Sequence, residues 1–260
     1  MYHGLLFSVT LAVALYLIVP VFFSALAGVS RNVMTGVSGG LTTRWLVQVF
    51  ELYHETLLRS MGIALACVAA CLGLGVPMAY ALTRQRRAIA RLIEELLMLP
   101  VAVPGLATGL ALILAYGNAR DFRASSLFIL TGHVLFTLPF MMRSVLAVMH
   151  AADLPVLEEA AASLGASFWQ RFRTVILPNA RSGMMAGSLM VFSLSIGEFN
   201  ITWMLHTPLT QTLPVGLADA YSSLRLEVGS AYTIVFLAMV VPVLWAMQLV
   251  GAPLDRLGKK

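Results

Sequence analysis

The sequence predicts an all-α, polytopic membrane protein with six transmembrane helices, and two observations lead there. Of 260 residues, 59% are hydrophobic and only 11% are charged, a balance outside the range of soluble domains. The charges also cluster between apolar runs long enough to cross a hydrocarbon layer of roughly 30 Å. A soluble chain of this length could bury a core, but would not need so many uninterrupted apolar stretches. The formal net charge of +5 then reads as topology information rather than as a nucleic-acid surface.

The first span is expected from about Leu5 to Ala27. Ala25-Leu26-Ala27 has the look of a signal-peptidase site, but Met1-Tyr2-His3 lacks a basic residue and the apolar run is too long. An uncleaved helix is the expectation. Gly28 to Arg59 is glycine-rich at first, then amphipathic around Trp45, Val49 and Leu52, with Trp45 suited to the membrane interface. The second span covers about Ser60 to Leu82 and runs into a basic stretch, Thr83 to Glu95. The third ends near Tyr116, and Pro100 and Pro104 must bend or break it, while Gly105 and Gly109 permit close helix contact. A kink beside a pathway and a simple packing bend are both open readings. After a turn at Gly117 to Ala124 come a fourth span, Ser125 to Met149, and a fifth, Ser182 to Leu205. A loop from His206 to Val228 and a sixth span to about Val250 follow, then a basic tail, Asp255 to Lys260. Cys67 and Cys71, one helical turn apart in an apolar run, read as helix packing rather than a metal or redox pair. No metal ligand cluster stands out, and no cofactor is expected.

One polar-bearing segment, Asp153 to Pro178, separates spans four and five. Asp153 is an expected N-cap and Pro155 falls in the first turn, where its missing N–H costs nothing. Glu158 and Glu159 follow at the end of the helix that favours negative charge. Ala160, Ala161 and Ala162 are strong helix formers that leave a thin flank. Gly165 supplies a stop that accepts positive φ, Ser167 caps a second helix carrying Phe168, Phe172 and Val175 on one stripe, and Pro178 ends it. A solvated loop would show the same helical pattern, so the spacing matters: Glu159-Ala160-Ala161, three residues, Gly165, nine residues, then Val175-Ile176-Leu177-Pro178.

That spacing resembles the integral-membrane permease subunits of bacterial ATP-binding-cassette importers, whose shared motif reads E-A-A, three residues, G, nine residues, I-x-L-P. Val175 stands where the family usually has Ile. The resemblance implies a type I, methionine-importer-like fold. It also implies that Glu158, Glu159, Ala160, Ala161, Gly165, Leu177 and Pro178 belong to a coupling-helix loop in the cytoplasm, which docks on a separate ATP-binding subunit. The sequence agrees to the extent that no G-x-x-x-x-G-K-[ST] occurs, so the chain does not cradle ATP phosphates itself. Further implied partners are a second permease subunit, identical or paralogous, and a periplasmic substrate-binding protein. The organisation expected is 1–56, first transmembrane helix and periplasmic segment; 57–251, core permease with the E-A-A loop at 153–178; and 252–260, a cytoplasmic tail. With that loop inside, eleven of the 17 lysines and arginines are cytoplasmic, which puts both termini on the cytoplasmic side of the bacterial inner membrane.

Within span five, Ser188, Ser195, Glu198 and Thr202 fall at helical spacing and share one expected face. An ionisable group at that depth faces protein or water. The stripe either lines a pathway or makes interhelical hydrogen bonds, for instance to His133 or Thr137. The run Ser195 to Pro208 is similar to permeases of the polyamine, aminoethylphosphonate and ferric-iron branch, and Glu198 would suit an amine. Two other classes fit less of the chain. An ion-coupled secondary transporter would use Glu198 and His133 as a proton relay, and a membrane hydrolase would pair Ser195 with His133. Neither explains the E-A-A spacing.

Overall fold

The computed structural model describes residues 2–255. Thirteen α-helices are present among them. They are α1 Tyr2–Gly28, α2 Arg44–Thr83, α3 Arg87–Leu97, α4 Leu99–Ala102, α5 Gly105–Tyr116, α6 Arg120–Arg123, α7 Ser126–Ala151, α8 Leu154–Ser163, α9 Phe168–Arg171, α10 Leu177–Ile196, α11 Asn200–Leu205, α12 Leu213–Ser222 and α13 Leu226–Asp255. Among the described residues the only β feature is a bridge between Ser30 and Leu41, so the all-α expectation holds. The basic tail, 256–260, lies outside the described residues.

Four described helices are long and apolar enough to cross a membrane: α1, α2, α7 and α13. A fifth arises if the pair Arg87–Ala102 and Gly105–Tyr116, bent by 99°, is one span. The expected break in span three therefore exists, and it falls at Val103 and Pro104, both extended. Pro100 does no damage because it sits in the first turn of α4. The expected fifth span is also interrupted. α10 ends at Ile196, Gly197 to Phe199 leave the helix, and α11 restarts at Asn200. Two further differences concern boundaries. The amphipathic piece around Trp45 is continuous with span two in a single 40-residue helix, because nothing between Arg44 and Ser60 breaks it. The basic stretch is helical from Arg87.

The chain forms two compact units. One comprises residues up to Leu57 with Leu213–Met239. Its core gathers Val49, Leu57, Leu213 and Val228 around a fully buried Tyr232, whose ring lies 5.2 Å from that of Tyr53. The end of α1 meets α13 closely: a Cβ at Gly28 would lie 2.7 Å from the Ala231 nitrogen. Trp45 anchors the start of α2 by donating Nε1–H to the Ser30 carbonyl at 2.9 Å.

The other unit comprises Leu58–Thr212 with the helix beyond Val240. Here α10 lies along α7, and small residues set the approach. A Cβ at Gly183 would be 2.6 Å from the Ser144 carbonyl oxygen, and Gly187 is equally tight against Met141. Membrane helices gain association energy this way, since lipid supplies no hydrophobic drive. Gly105 and Gly109 do the same for α5 against α11, as expected, with Met204 Cβ 2.6 Å from where a Gly109 Cβ would stand. Cys67 and Cys71 are buried free thiols whose sulfurs lie 3.2 and 3.4 Å from Thr137 Oγ1, a packing role as expected.

Candidate functional site

The E-A-A segment folds as a two-helix step. Leu154 is buried and Pro155 lies in the first turn of α8. Asp153 stands at the N-cap position but its side chain makes no capping bond; it enters α8 from a left-handed conformation, φ 47°, which turns the chain out of α7. Gly165 has φ +82° with nothing near its Cβ position, so the turn needs glycine for backbone reasons alone. Ser167 then caps α9 in a full capping box with Gln170. Glu159, Ala160 and Ala162 are exposed on α8. Leu164 is 89% exposed, and Phe168 and Trp169 are each more than half exposed. The step thus presents exposed apolar side chains beside a thin alanine flank.

One expectation here is corrected. Pro178 does not end the second helix. A π-helical turn, Phe172–Ile176, joins α9 directly to α10, and Pro178 occupies the first turn of α10. The π turn widens the register just where Pro178 withholds an N–H, so the helix continues. Phe172 and Val175 pack on the core while Phe168 stays outside.

Glu158 and Glu159, adjacent in sequence, part company. Glu158 is 2% exposed. Tyr80 donates its hydroxyl to the carboxylate, 3.0 Å from each oxygen. Arg84 pairs with Oε2 and Arg171 Nη1 lies 3.6 Å from Oε1. The sequence reading missed these three partners. Tyr80, in the last turn of α2, and Arg84, four residues on and just beyond its end, were the available signal. It also missed a cleft of about 560 Å³ beside Asp153 and Pro155, lined by Arg87, Arg91 and Glu94 of α3 and by His150.

The helix carrying the expected stripe breaks at Gly197, yet Ser195, Glu198 and Thr202 still meet in one buried network. Glu198 caps α11. Its Oε1 accepts from the Ile201 N–H, and its Oε2 from the Thr202 N–H and hydroxyl, each at 2.8 Å. His133 of α7 joins both sides of the break, with Nδ1 2.8 Å from Ser195 Oγ and Nε2 2.8 Å from Thr202 Oγ1. The Thr202 proton goes to Glu198, so His133 Nε2–H donates to Thr202 and Nδ1 accepts from Ser195. Every proton in that chain has a place on a neutral imidazole. Ser188 is buried on α10 but takes no part in the network. A helix restarted at membrane depth leaves N–H groups that cost several kcal/mol each if unpaired. That magnitude gives Glu198 a structural task as the acceptor for the first N–H groups of α11.

The family model for the binding-protein-dependent transport system inner membrane component matches residues 71–255. The chain belongs to that family. Its members are the permease subunits of ATP-binding-cassette importers, and the chain is accordingly a multi-pass inner-membrane transport component. Among relatives, it is 30% identical over 207 residues to PhnV of Salmonella typhimurium, named a 2-aminoethylphosphonate transport system permease protein, covering 79% of this chain and 77% of that one. It is 32% identical over 185 residues to the chloroplastic sulfate permease 2 of Chlamydomonas reinhardtii, covering 66% of this chain but spanning only 50% of that protein. In fold, it is similar to a bacterial ABC transporter that imports the acidic polysaccharide alginate, with a TM-score of 0.72 at 13% identity over 97% of this chain and 95% of that one.

Proposed function

We propose that this permease subunit admits a small tetrahedral oxyanion of the 2-aminoethylphosphonate kind, driven by a separate ATPase that docks on the step formed by α8, Gly165 and α9. The observation that carries the docking reading is the exposed step itself, with Glu159, Leu164 and Trp169 outside and the motif spacing intact. The cleft beside Asp153 and Pro155 adjoins the start of α8. A periplasmic binding protein delivers the solute, and a second permease subunit completes the pathway. The chain crosses the membrane six times with both termini cytoplasmic, the bent pair and the α10–α11 pair each counting as one crossing. The oxyanion reading is supported by the relatives named for 2-aminoethylphosphonate and sulfate, both carrying tetrahedral oxyanions. A polyamine fits less well, because the amine argument rested on Glu198 and its carboxylate serves α11.

The test is uptake into proteoliposomes holding the permease with its ATPase and binding protein. Labelled 2-aminoethylphosphonate should enter only with ATP, an uncoupler should have no effect, and sulfate should compete where putrescine does not. Uptake driven by a pH gradient without ATP, or preferred uptake of putrescine, would overturn the reading.

A further inference from the structure

Glu158 is a buried carboxylate with three partners, Tyr80 on α2, Arg84 just past its end and Arg171 on α9, next to an exposed glutamate in the same helix. From this we propose that Glu158 is a positioning residue that pins α8 to the end of α2, and that it is not itself a contact for the ATPase. The proposal rests on the docking reading above and names the part of that site through which docking acts on a membrane helix.

Three observations carry it. First, both oxygens of Glu158 are spent inside the chain, on Tyr80 at 3.0 Å, on Arg84, and on Arg171 at 3.6 Å. A carboxylate that left these partners for a docked protein would give up the Tyr80 hydroxyl and the Arg84 cation and leave the largely covered Arg171 without its counter-charge. Second, the partners on the α2 side brace each other: the Arg84 guanidinium lies over the Tyr80 ring at 5.2 Å, so phenol and cation approach Glu158 as one unit. Third, the joint is uneven. The α2 side holds Glu158 by direct hydrogen bonds, while Arg171, the last residue of α9, stands farther off and its buried Nε has no hydrogen-bond partner among the described residues. The α9 side is the one that can loosen while α8 and α2 move together. Force applied at the exposed Glu159 face therefore reaches α2 through Glu158.

The experiment uses the assembled importer with Glu158→Gln, Arg84→Gln, the double variant, Tyr80→Phe, Glu159→Lys and Gly165→Pro. It reads ATPase recovered with the permease and solute taken up per ATP hydrolysed. Glu158→Gln should retain the ATPase but lower uptake per ATP by about tenfold, the usual scale of a coupling interaction. The double variant should be no worse than Glu158→Gln, since both members act on one joint. Tyr80→Phe removes one hydrogen bond and keeps the ring; it should give a smaller fall, and it serves in place of Glu158→Gln should that variant not accumulate. Loss of the ATPase from Glu158→Gln with normal coupling in Tyr80→Phe would overturn the proposal, as would unchanged coupling in both. If Glu159→Lys and Gly165→Pro both keep the ATPase, the docking reading fails instead, whatever Glu158→Gln does.

Discussion

Glu198 shows how one residue's task depends on the backbone around it. In an unbroken helix it would share a face with Ser195 and Thr202, and the sequence has no strong helix breaker between them. The structure breaks the helix at Gly197 and gives the carboxylate to two backbone N–H groups and a hydroxyl. Glu198→Leu should therefore lower stability in detergent by roughly 1–3 kcal/mol, the cost of leaving buried donors unpaired, read as a drop in Tm. Glu198→Gln keeps one acceptor oxygen; it should cost less and leave uptake kinetics near normal. A large loss of transport in a stable Glu198→Gln protein would return the residue to the pathway. That polar side chains meet His133 was legible in the sequence. Which backbone groups they serve was not, because a single glycine does not announce a helix break. Glu158 and Glu159 were indistinguishable in sequence for a related reason: only the fold brings Tyr80, Arg84 and Arg171 to one of them.

At the scale of elements, the α8–α9 step was the most legible part of the chain, since its turn depends on local chemistry. Gly165 holds φ +82° in open space, so Gly165→Ala meets no clash and pays only the left-handed backbone penalty, about 1–2 kcal/mol. Ser167→Ala should cost about 1 kcal/mol by removing the cap of α9. Both are measurable as shifts in protease sensitivity of the step with the spans intact. The glycine contacts of α5 and α11 were legible too, and they make a stronger forecast. Gly109→Val would drive a side chain into Met204, and overpacking of this kind costs about 1–3 kcal/mol, visible as reduced thermal stability in detergent. Pro178 misled because proline usually stops a helix from behind. Here a π turn precedes it and places it where its missing N–H is harmless.

At the scale of the molecule, composition alone made the chain a polytopic helical membrane protein, and charge distribution gave its proposed orientation. The interruptions within two of the expected spans were harder to read, since hydropathy is indifferent to a bend of 99°. With the step in the cytoplasm, single cysteines at Ala88 and Ala166 should be shielded from an impermeant thiol reagent in intact cells while one at Ala218 reacts; the native Cys67 and Cys71 are buried and should stay silent. The opposite labelling would invert the topology. The account stands most directly on whether the step holds the ATPase. Glu159→Lys reverses charge on the exposed face of α8, and Gly165→Pro imposes a negative φ where the turn needs +82°. Co-purification of the ATPase with these two variants is the deciding measurement. Both proteins should insert normally and recover at least about tenfold less ATPase than the parent, a loss of roughly 1.4 kcal/mol or more in association. Full recovery of ATPase with ATP-driven uptake in both would contradict the account.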